Sequence, residues 1–266
     1  MSMEIERIER PTAARFAADF ALRARPVILT GVLDDWPART TWSLAYIASK
    51  VGDSKVTVRV PPDGAPEGYY RIEPSIDHHC EQIAFSEFVR RTSGGTVPAL
   101  SSVGVRLPDV AAEIGSIDYP GYSPPEWLRI SPKRTTTLLH YDSRQNLHAL
   151  VTGRKRFVIF DRKDFSHLYP YPMFSSYPHM SRVYLPAPDL QQFPRFARAT
   201  AYEITLVAGE MLFLPPGWWH EVDTLAPSIS GRFWGQPYSM WTRSYLHARL
   251  PSQLRKWTRR LKKARA

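Results

Sequence analysis

The chain has 266 residues, 43% of them hydrophobic, a single cysteine (Cys80) and a formal charge of +10. That suits one all-β or barrel-like domain with helical additions, or two small domains, and it excludes a disulfide framework and a cysteine-rich zinc site. The segment Met1–Arg7 lacks the apolar stretch of a secretory leader, and no run approaches the roughly 20 apolar residues of a membrane-spanning helix. The expected location is therefore the reducing cytoplasm. The charge is unevenly placed. No acidic residue follows Asp223, while the last 43 residues carry ten Lys and Arg. The region before them is neutral, so the positive charge marks a local basic segment and not a generally basic protein.

In chain order, residues 10–23 predict a helix capped by Thr12 with Phe16 and Phe20 on its apolar face. Residues 25–30 predict a buried strand ended by Gly31, and Trp36-Pro37 a turn. Ser43 caps a helix running to Val51, and residues 55–60 alternate as a half-exposed strand. Residues 61–74 are turn-rich and carry Tyr69 and Tyr70. His78 and His79 read as an exposed loop pair before a helix over 85–91. A strand is expected over 98–105. Residues 107–127 are Pro-rich and irregular, with a short helix near 110–114.

From Thr135 the strand signals crowd together, at 135–142, 146–152, 155–160, 202–207, 211–214 and 228–234. Short strands with turn signals between them predict a mainly β sandwich or jelly roll. Gly153-Arg154 reads as a tight hairpin between two of them. The aromatic, basic insertion from Leu168 to Phe196 has little periodicity, and such a loop in a compact domain points to function. Residues 252–266 predict a basic helix with Leu254, Trp257 and Leu261 on one stripe.

Two runs carry chemistry: Thr135-Thr-Thr-Leu-Leu-His-Tyr-Asp142 and Leu212-Phe-Leu-Pro-Pro-Gly-Trp-Trp-His220. His140 and Asp142 stand at i and i+2, so on a strand they share a face. With His220 they make two imidazoles and one carboxylate, the facial triad of non-haem Fe(II) oxygenases. Taken singly, His140 is a strand histidine with a satisfied hydrogen bond and His220 a loop histidine beside two tryptophans. Neither explains Lys155, which shares a strand face with Phe157 and Ile159 while Arg154 and Arg156 point the other way. A lysine on an apolar face needs an anion, and a dicarboxylate co-substrate would supply one. The same three ligands could hold zinc in a hydrolase. That reading lacks a placed general base and leaves Lys155 without a role.

These motifs, with Gly153-Arg-Lys-Arg-Phe157, Leu168-Tyr-Pro-Tyr-Pro172, Gln192-Phe-Pro-Arg-Phe196, Gly209-Glu210, Pro216-Gly-Trp-Trp-His220 and Arg25-Pro-Val-Ile-Leu-Thr-Gly31, resemble the cupin-like Jumonji-C oxygenases dependent on Fe(II) and 2-oxoglutarate. Among these the chain is most similar to the asparaginyl hydroxylase that inhibits hypoxia-inducible factor and to its bacterial relatives. The resemblance covers about residues 25–240. It implies a double-stranded β-helix (jelly-roll or cupin) over residues 1–240, core strands from about 98, flanking N- and C-terminal helices, and a separate basic helical segment over 241–266.

It also implies roles. His140, Asp142 and His220 would bind Fe(II). Lys155 and Thr137 would hold the distal carboxylate of 2-oxoglutarate, Thr137 only if a bulge turns it inward. Asn146 would contact the co-substrate side of the metal, and Trp234 would line the same cavity. Arg232 stands where the family has an amide, and Ala99 where it has a tyrosine that Tyr69, Tyr70 or Tyr122 would have to replace. The implied reaction uses dioxygen to hydroxylate a C–H bond, with a protein or peptide side chain as the expected substrate. The alternatives are an RNA- or ribosome-associated hydroxylase using the basic tail and, from the two departures, a metal-binding cupin without oxygenase activity. The Leu254, Trp257 and Leu261 stripe equally suits a homodimer contact.

Overall fold

The computed structural model describes residues 4–52, 54–59, 80–93, 103–106, 113–125, 127–175 and 177–235. Tyr69, Tyr70, His78, His79, Ala99, most of the helix expected near 110–114 and the whole basic segment 241–266 lie outside the described residues.

Strand β1 (Arg7–Glu9) runs parallel to β2 (Val27–Thr30). Between them Thr12 caps α1 (Ala13–Phe16), its hydroxyl accepting the Arg15 N–H at 3.3 Å, and α1 widens into a π turn over Ala17–Ala21. Phe16 and Phe20 are buried, as the apolar stripe predicts. Where a plain turn was expected after Trp36-Pro37, one helical turn α2 (Ala38–Thr41) forms. Ser43 caps α3 (Leu44–Val51) by accepting the Tyr46 N–H at 3.0 Å. β3 (Lys55–Arg59) pairs with β4 (Cys80–Ala84) as a separate ribbon that leads into α4 (Phe85–Ser93).

The remaining strands are β5 (Val103–Arg106), β6 (Tyr122–Ser123), β7 (Trp127–Ser131), β8 (Thr136–Tyr141), β9 (Gln145–Phe160), β10 (Ala201–Val207), β11 (Met211–Leu214) and β12 (Trp219–Gly235). β6 and β7 fall partly where an irregular segment was expected. β2 also sits inside the main sheet, between β1 and β11, so the core takes in N-terminal residues as well as those beyond 98.

β9 and β12 organise the fold. They run antiparallel along nearly their whole lengths. The first half of β9 pairs with β11, the second half with β10. The first half of β12 pairs with β8, the second with β6 and β7. Each long strand thus belongs to both layers of a jelly roll, the mainly β cupin architecture that the sequence resemblance implied.

The tight hairpin expected at Gly153-Arg154 does not form; the chain continues as one strand through Gly153. Gly153 sits at φ +90°, and a Cβ there would lie 2.4 Å from the Pro227 carbonyl oxygen. The β9–β12 register shifts at the same level, between Thr224 and Ile229. Gly153 is therefore a bulge where both long strands bend between layers. The bulge also switches parity. Asn146, His148 and Leu150 face one side before it, and Lys155, Phe157 and Ile159 continue that side after it.

Three apolar clusters follow from this plan. One packs Leu147, Ala149, Met211 and Phe213 under the N-terminal helices through Phe16 and Phe20. A second fills the space between the layers with Leu150, Phe157, Ile159, Leu212, Leu214 and Val222. A third covers the outer face of the other layer with Tyr141, Phe160, Phe165 and Trp219. The polar site occupies one end of the middle cluster. Among the described residues no helix is long and apolar enough to cross a membrane.

Candidate metal centre

His140 lies near the end of β8 and Asp142 just past it. His220 lies at the start of β12, directly opposite His140 in the ladder. His220 is thus a strand residue, placed by the backbone pairing. The Gly217 N–H donates to the Asp142 carbonyl at 2.8 Å, tying the turn before β12 to the turn after β8. Ligand atoms of His140, Asp142 and His220 lie within 4.8 Å of one another, and the set could hold a metal ion. His220 Nε2 and Asp142 Oδ2 are 3.7 Å apart.

The surroundings set the ring orientations. His140 Nδ1 meets the Leu138 carbonyl at 2.8 Å, and His220 Nδ1 meets the Trp218 carbonyl at 3.2 Å. Each Nδ1–H is the donor, which leaves both Nε2 lone pairs turned toward Asp142. Asn146 donates from Nδ2 to Asp142 Oδ2 at 3.0 Å and steers the carboxylate. Burial, and then the neighbouring His220, holds His140 down to about 3; burial also lowers His220. Burial pushes Asp142 the other way, but the imidazoles of His220 and His140, the charge of Arg232 and the Asn146 hydrogen bond keep it below the usual carboxylate range. Neutral imidazoles beside an ionised carboxylate form the protonation state that metal ligation requires.

A small inner pocket of about 30 Å³ adjoins the three residues, and Thr137, Asn146, Lys155, Arg129, His148 and Arg232 are among the residues lining it. Thr137 gets there through a bulge: His140 faces His220 but Thr137 faces Val222, so two residues of β8 oppose Glu221 alone. Lys155 is buried at 4% exposure, and its ammonium donates to Ser131 Oγ at 2.9 Å. Burial, with Arg129 and Arg232 adding repulsion, brings the Lys155 pKa down to about 7. No carboxylate among the described residues pairs with it. Asn146 Oδ1 and His148 Nε2 are buried with no hydrogen-bond partner among the described residues. These features fit a small diacid chelated at the metal: ligands on one side, and a cation with hydroxyls on the other.

Trp234 does not line the inner pocket. It borders a wider vestibule of about 450 Å³ that shares Arg129 and Arg232 with that pocket. Tyr122 bonds through its hydroxyl to Gln145 and packs on the first apolar cluster, and it is not among the residues lining the inner pocket. Arg129, Ser131, His148 and His179 are site neighbours that the sequence motifs do not single out. The first two alternate with buried Leu128 and Ile130, a two-residue period that was present but overshadowed by the prolines before it. His179 belongs to the long insertion. Its carbonyl accepts the Tyr141 N–H at 3.1 Å and its ring meets His140 edge-on at 6.4 Å. The insertion therefore packs against the metal-site end of β8.

The chain is 32% identical over 241 residues to Lysine-specific demethylase 8 of Danio rerio, covering 87% of this chain and 58% of that protein. It is 28% identical over 264 residues to the human Bifunctional peptidase and (3S)-lysyl hydroxylase JMJD7, covering 84% and 81% respectively. It is 29% identical over 237 residues to tRNA wybutosine-synthesizing protein 5 of Danio rerio, covering 79% and 68%. The chain spans a little over half the length of the demethylase-8 relatives it matches. The family model described as "Cupin-like domain" matches residues 13–240. That one match begins at α1 and runs past the end of β12, taking in every strand that lends a side chain to the pocket, and the chain belongs to the Cupin-like domain family.

Proposed function

We propose that the chain is an Fe(II)- and 2-oxoglutarate-dependent dioxygenase that hydroxylates a C–H bond, with a protein or peptide side chain as substrate. The observation that carries this is the placement of Lys155. A buried lysine with no carboxylate partner among the described residues stands across one small pocket from two imidazoles and a carboxylate that could share a metal.

His140, Asp142 and His220 would hold the iron, leaving coordination positions open. Lys155, with Ser131 and Thr137 beside it, would take the distal carboxylate of 2-oxoglutarate by charge-assisted hydrogen bonds. Bound there, the pair supplies the oxidising chemistry: dioxygen places one oxygen atom in the substrate C–H bond and the other in succinate as carbon dioxide is released. Asn146 keeps Asp142 oriented, and its free Oδ1 and His148 Nε2 offer further polar contacts on the same side. The layer of Phe157, Leu214 and Val222 excludes water from the reacting end. Arg232 borders both cavities.

Two of the relatives above are named for acting on lysine, which supports a protein side chain. The narrower likeness to an asparaginyl hydroxylase has no counterpart among them. An RNA-associated hydroxylase is the second reading, favoured by the ten Lys and Arg after Asp223 and by the relative named for tRNA. The exposed thiol of Cys80 suits a reducing compartment such as the cytoplasm. The test is succinate formation from 2-oxoglutarate with and without Fe(II) and dioxygen. Turnover that needs both and vanishes in Asp142→Ala supports the assignment; turnover retained in that variant removes the metal site from it.

A further inference from the structure

His148 is buried at 7% exposure, and its Nε2 has no hydrogen-bond partner among the described residues. It lines the inner pocket together with Lys155, Thr137 and Arg232. A buried ring nitrogen left unpaired is destabilising, and a ligand that supplies its partner relieves that. The partner it can take follows from its place on β9. Asn146, two residues earlier on the same face, reaches the metal site through its 3.0 Å bond to Asp142. His148 stands one step further along that face, roughly 7 Å in the strand direction. Beyond the bulge at Gly153, Lys155 and Phe157 turn toward the same pocket. The His148 and Phe157 rings meet edge to face at 5.4 Å. His148 therefore lies on the wall between the metal ligands and Lys155. Burial first, and then the charges of Lys155 and Arg232, hold its imidazole well below the ordinary range, so the ring is neutral at pH 7 and carries a single N–H. Of these charges Lys155 acts most strongly, which sets His148 toward the lysine end of the pocket.

We infer that His148 is a specificity-determining residue for the co-substrate: its Nε2–H donates to an oxygen of the distal carboxylate that Lys155 neutralises, so that the pocket selects a keto diacid over a keto monoacid of the same length. This rests on the oxygenase reading, which supplies the keto acid chelated at the metal. A carboxylate has two oxygens with about four acceptor sites, more than one ammonium and one hydroxyl fill. It has no proton to give, so the Nε2–H tautomer is the one that bonds it. A neutral donor also adds a hydrogen bond without adding a further cation beside Lys155 and Arg232, whose charges already press on one another. Packing against Phe157 fixes the plane of the ring and so the direction of that bond.

The test is calorimetric titration of the full, Fe(II)-loaded protein without oxygen, using 2-oxoglutarate and 2-oxopentanoate. The second acid has the same carbon count and a methyl group in place of the distal carboxylate. His148→Leu should weaken 2-oxoglutarate about 10- to 100-fold and change 2-oxopentanoate by less than about twofold. His148→Gln, which keeps an N–H at similar reach, should restore most of the loss. Equal weakening of both acids would assign His148 to packing alone, and unchanged 2-oxoglutarate binding would leave it no role; either result overturns the inference. Should the leucine variant fail to fold, the unaltered protein loaded with diamagnetic Zn(II) decides in its place. The nitrogen-15 signal of His148 Nε2 should move when 2-oxoglutarate is added and stay in place with 2-oxopentanoate; the same response to both acids overturns the inference. Iron-loaded parent protein that binds neither acid refutes the oxygenase reading and this assignment with it, whereas 2-oxoglutarate binding that ignores His148 refutes this assignment alone.

Discussion

Replacing Lys155 by methionine separates what this residue does for the fold from what it does for the site. Its pKa falls from an ordinary 10.5 to about 7, first through burial and then through Arg129 and Arg232. Such a drop corresponds to about 5 kcal/mol of unfavourable burial for the charged form, a ceiling because relaxation and water penetration reduce it. Below pH 7 the amine is charged in folded and unfolded chains alike, and the folded form carries that cost in full. Between pH 7 and 10.5 the folded form has lost the proton that the unfolded chain keeps, so stability rises with pH. Lys155→Met removes the ionisable group and keeps the volume. The ligand-free variant should therefore be more stable than the parent by several kcal/mol at pH 6, with the gap closing as pH rises toward 10. The same substitution removes a charge-assisted bond of about 1.5–3 kcal/mol to the co-substrate, weakening 2-oxoglutarate about 10- to 100-fold. Urea unfolding at pH 6 and 9, with calorimetric titration of 2-oxoglutarate, measures both. A variant less stable at pH 6 that binds 2-oxoglutarate as tightly as the parent would refute the reasoning.

Further expectations follow from neighbouring residues. His140→Ala leaves an incomplete ligand set, and metal affinity measured by competition with a chelating dye should fall more than 100-fold while the far-ultraviolet spectrum is kept. Asn146→Ala frees Asp142 to rotate, and metal affinity should fall about 10- to 100-fold, less than in His140→Ala. Gly153→Ala puts a Cβ against the Pro227 carbonyl at positive φ, and chemical denaturation should show a loss of about 2–4 kcal/mol.

Much of the site was legible because alternation along a strand is a local rule. His140 and Asp142 sit two apart, and Lys155 shares its face with Phe157 and Ile159, as the two-residue period requires. What was not legible depends on partners distant in the chain. Gly153-Arg154 between apolar runs has the composition of a hairpin, and only the bend of β12 around Pro227 makes it a bulge. The inward direction of Thr137 likewise comes from its pairing with Val222, which nothing in residues 135–142 reveals. Arg129 and Ser131 were readable from their alternation with Leu128 and Ile130, yet the prolines at 120, 124 and 125 spoke for a loop. The placement of Trp234 beside Arg144, outside the inner pocket, depends on how the end of β12 meets β6.

The most direct measurement is an anaerobic titration of metal-free protein with Fe(II) and 2-oxoglutarate, following the weak visible metal-to-ligand charge-transfer band, and repeated with Lys155→Ala. The assignment predicts a band that saturates with both additions and weakens in the variant. Bound iron with no band in the unaltered protein would contradict it, and would leave a cupin that keeps its metal without using 2-oxoglutarate.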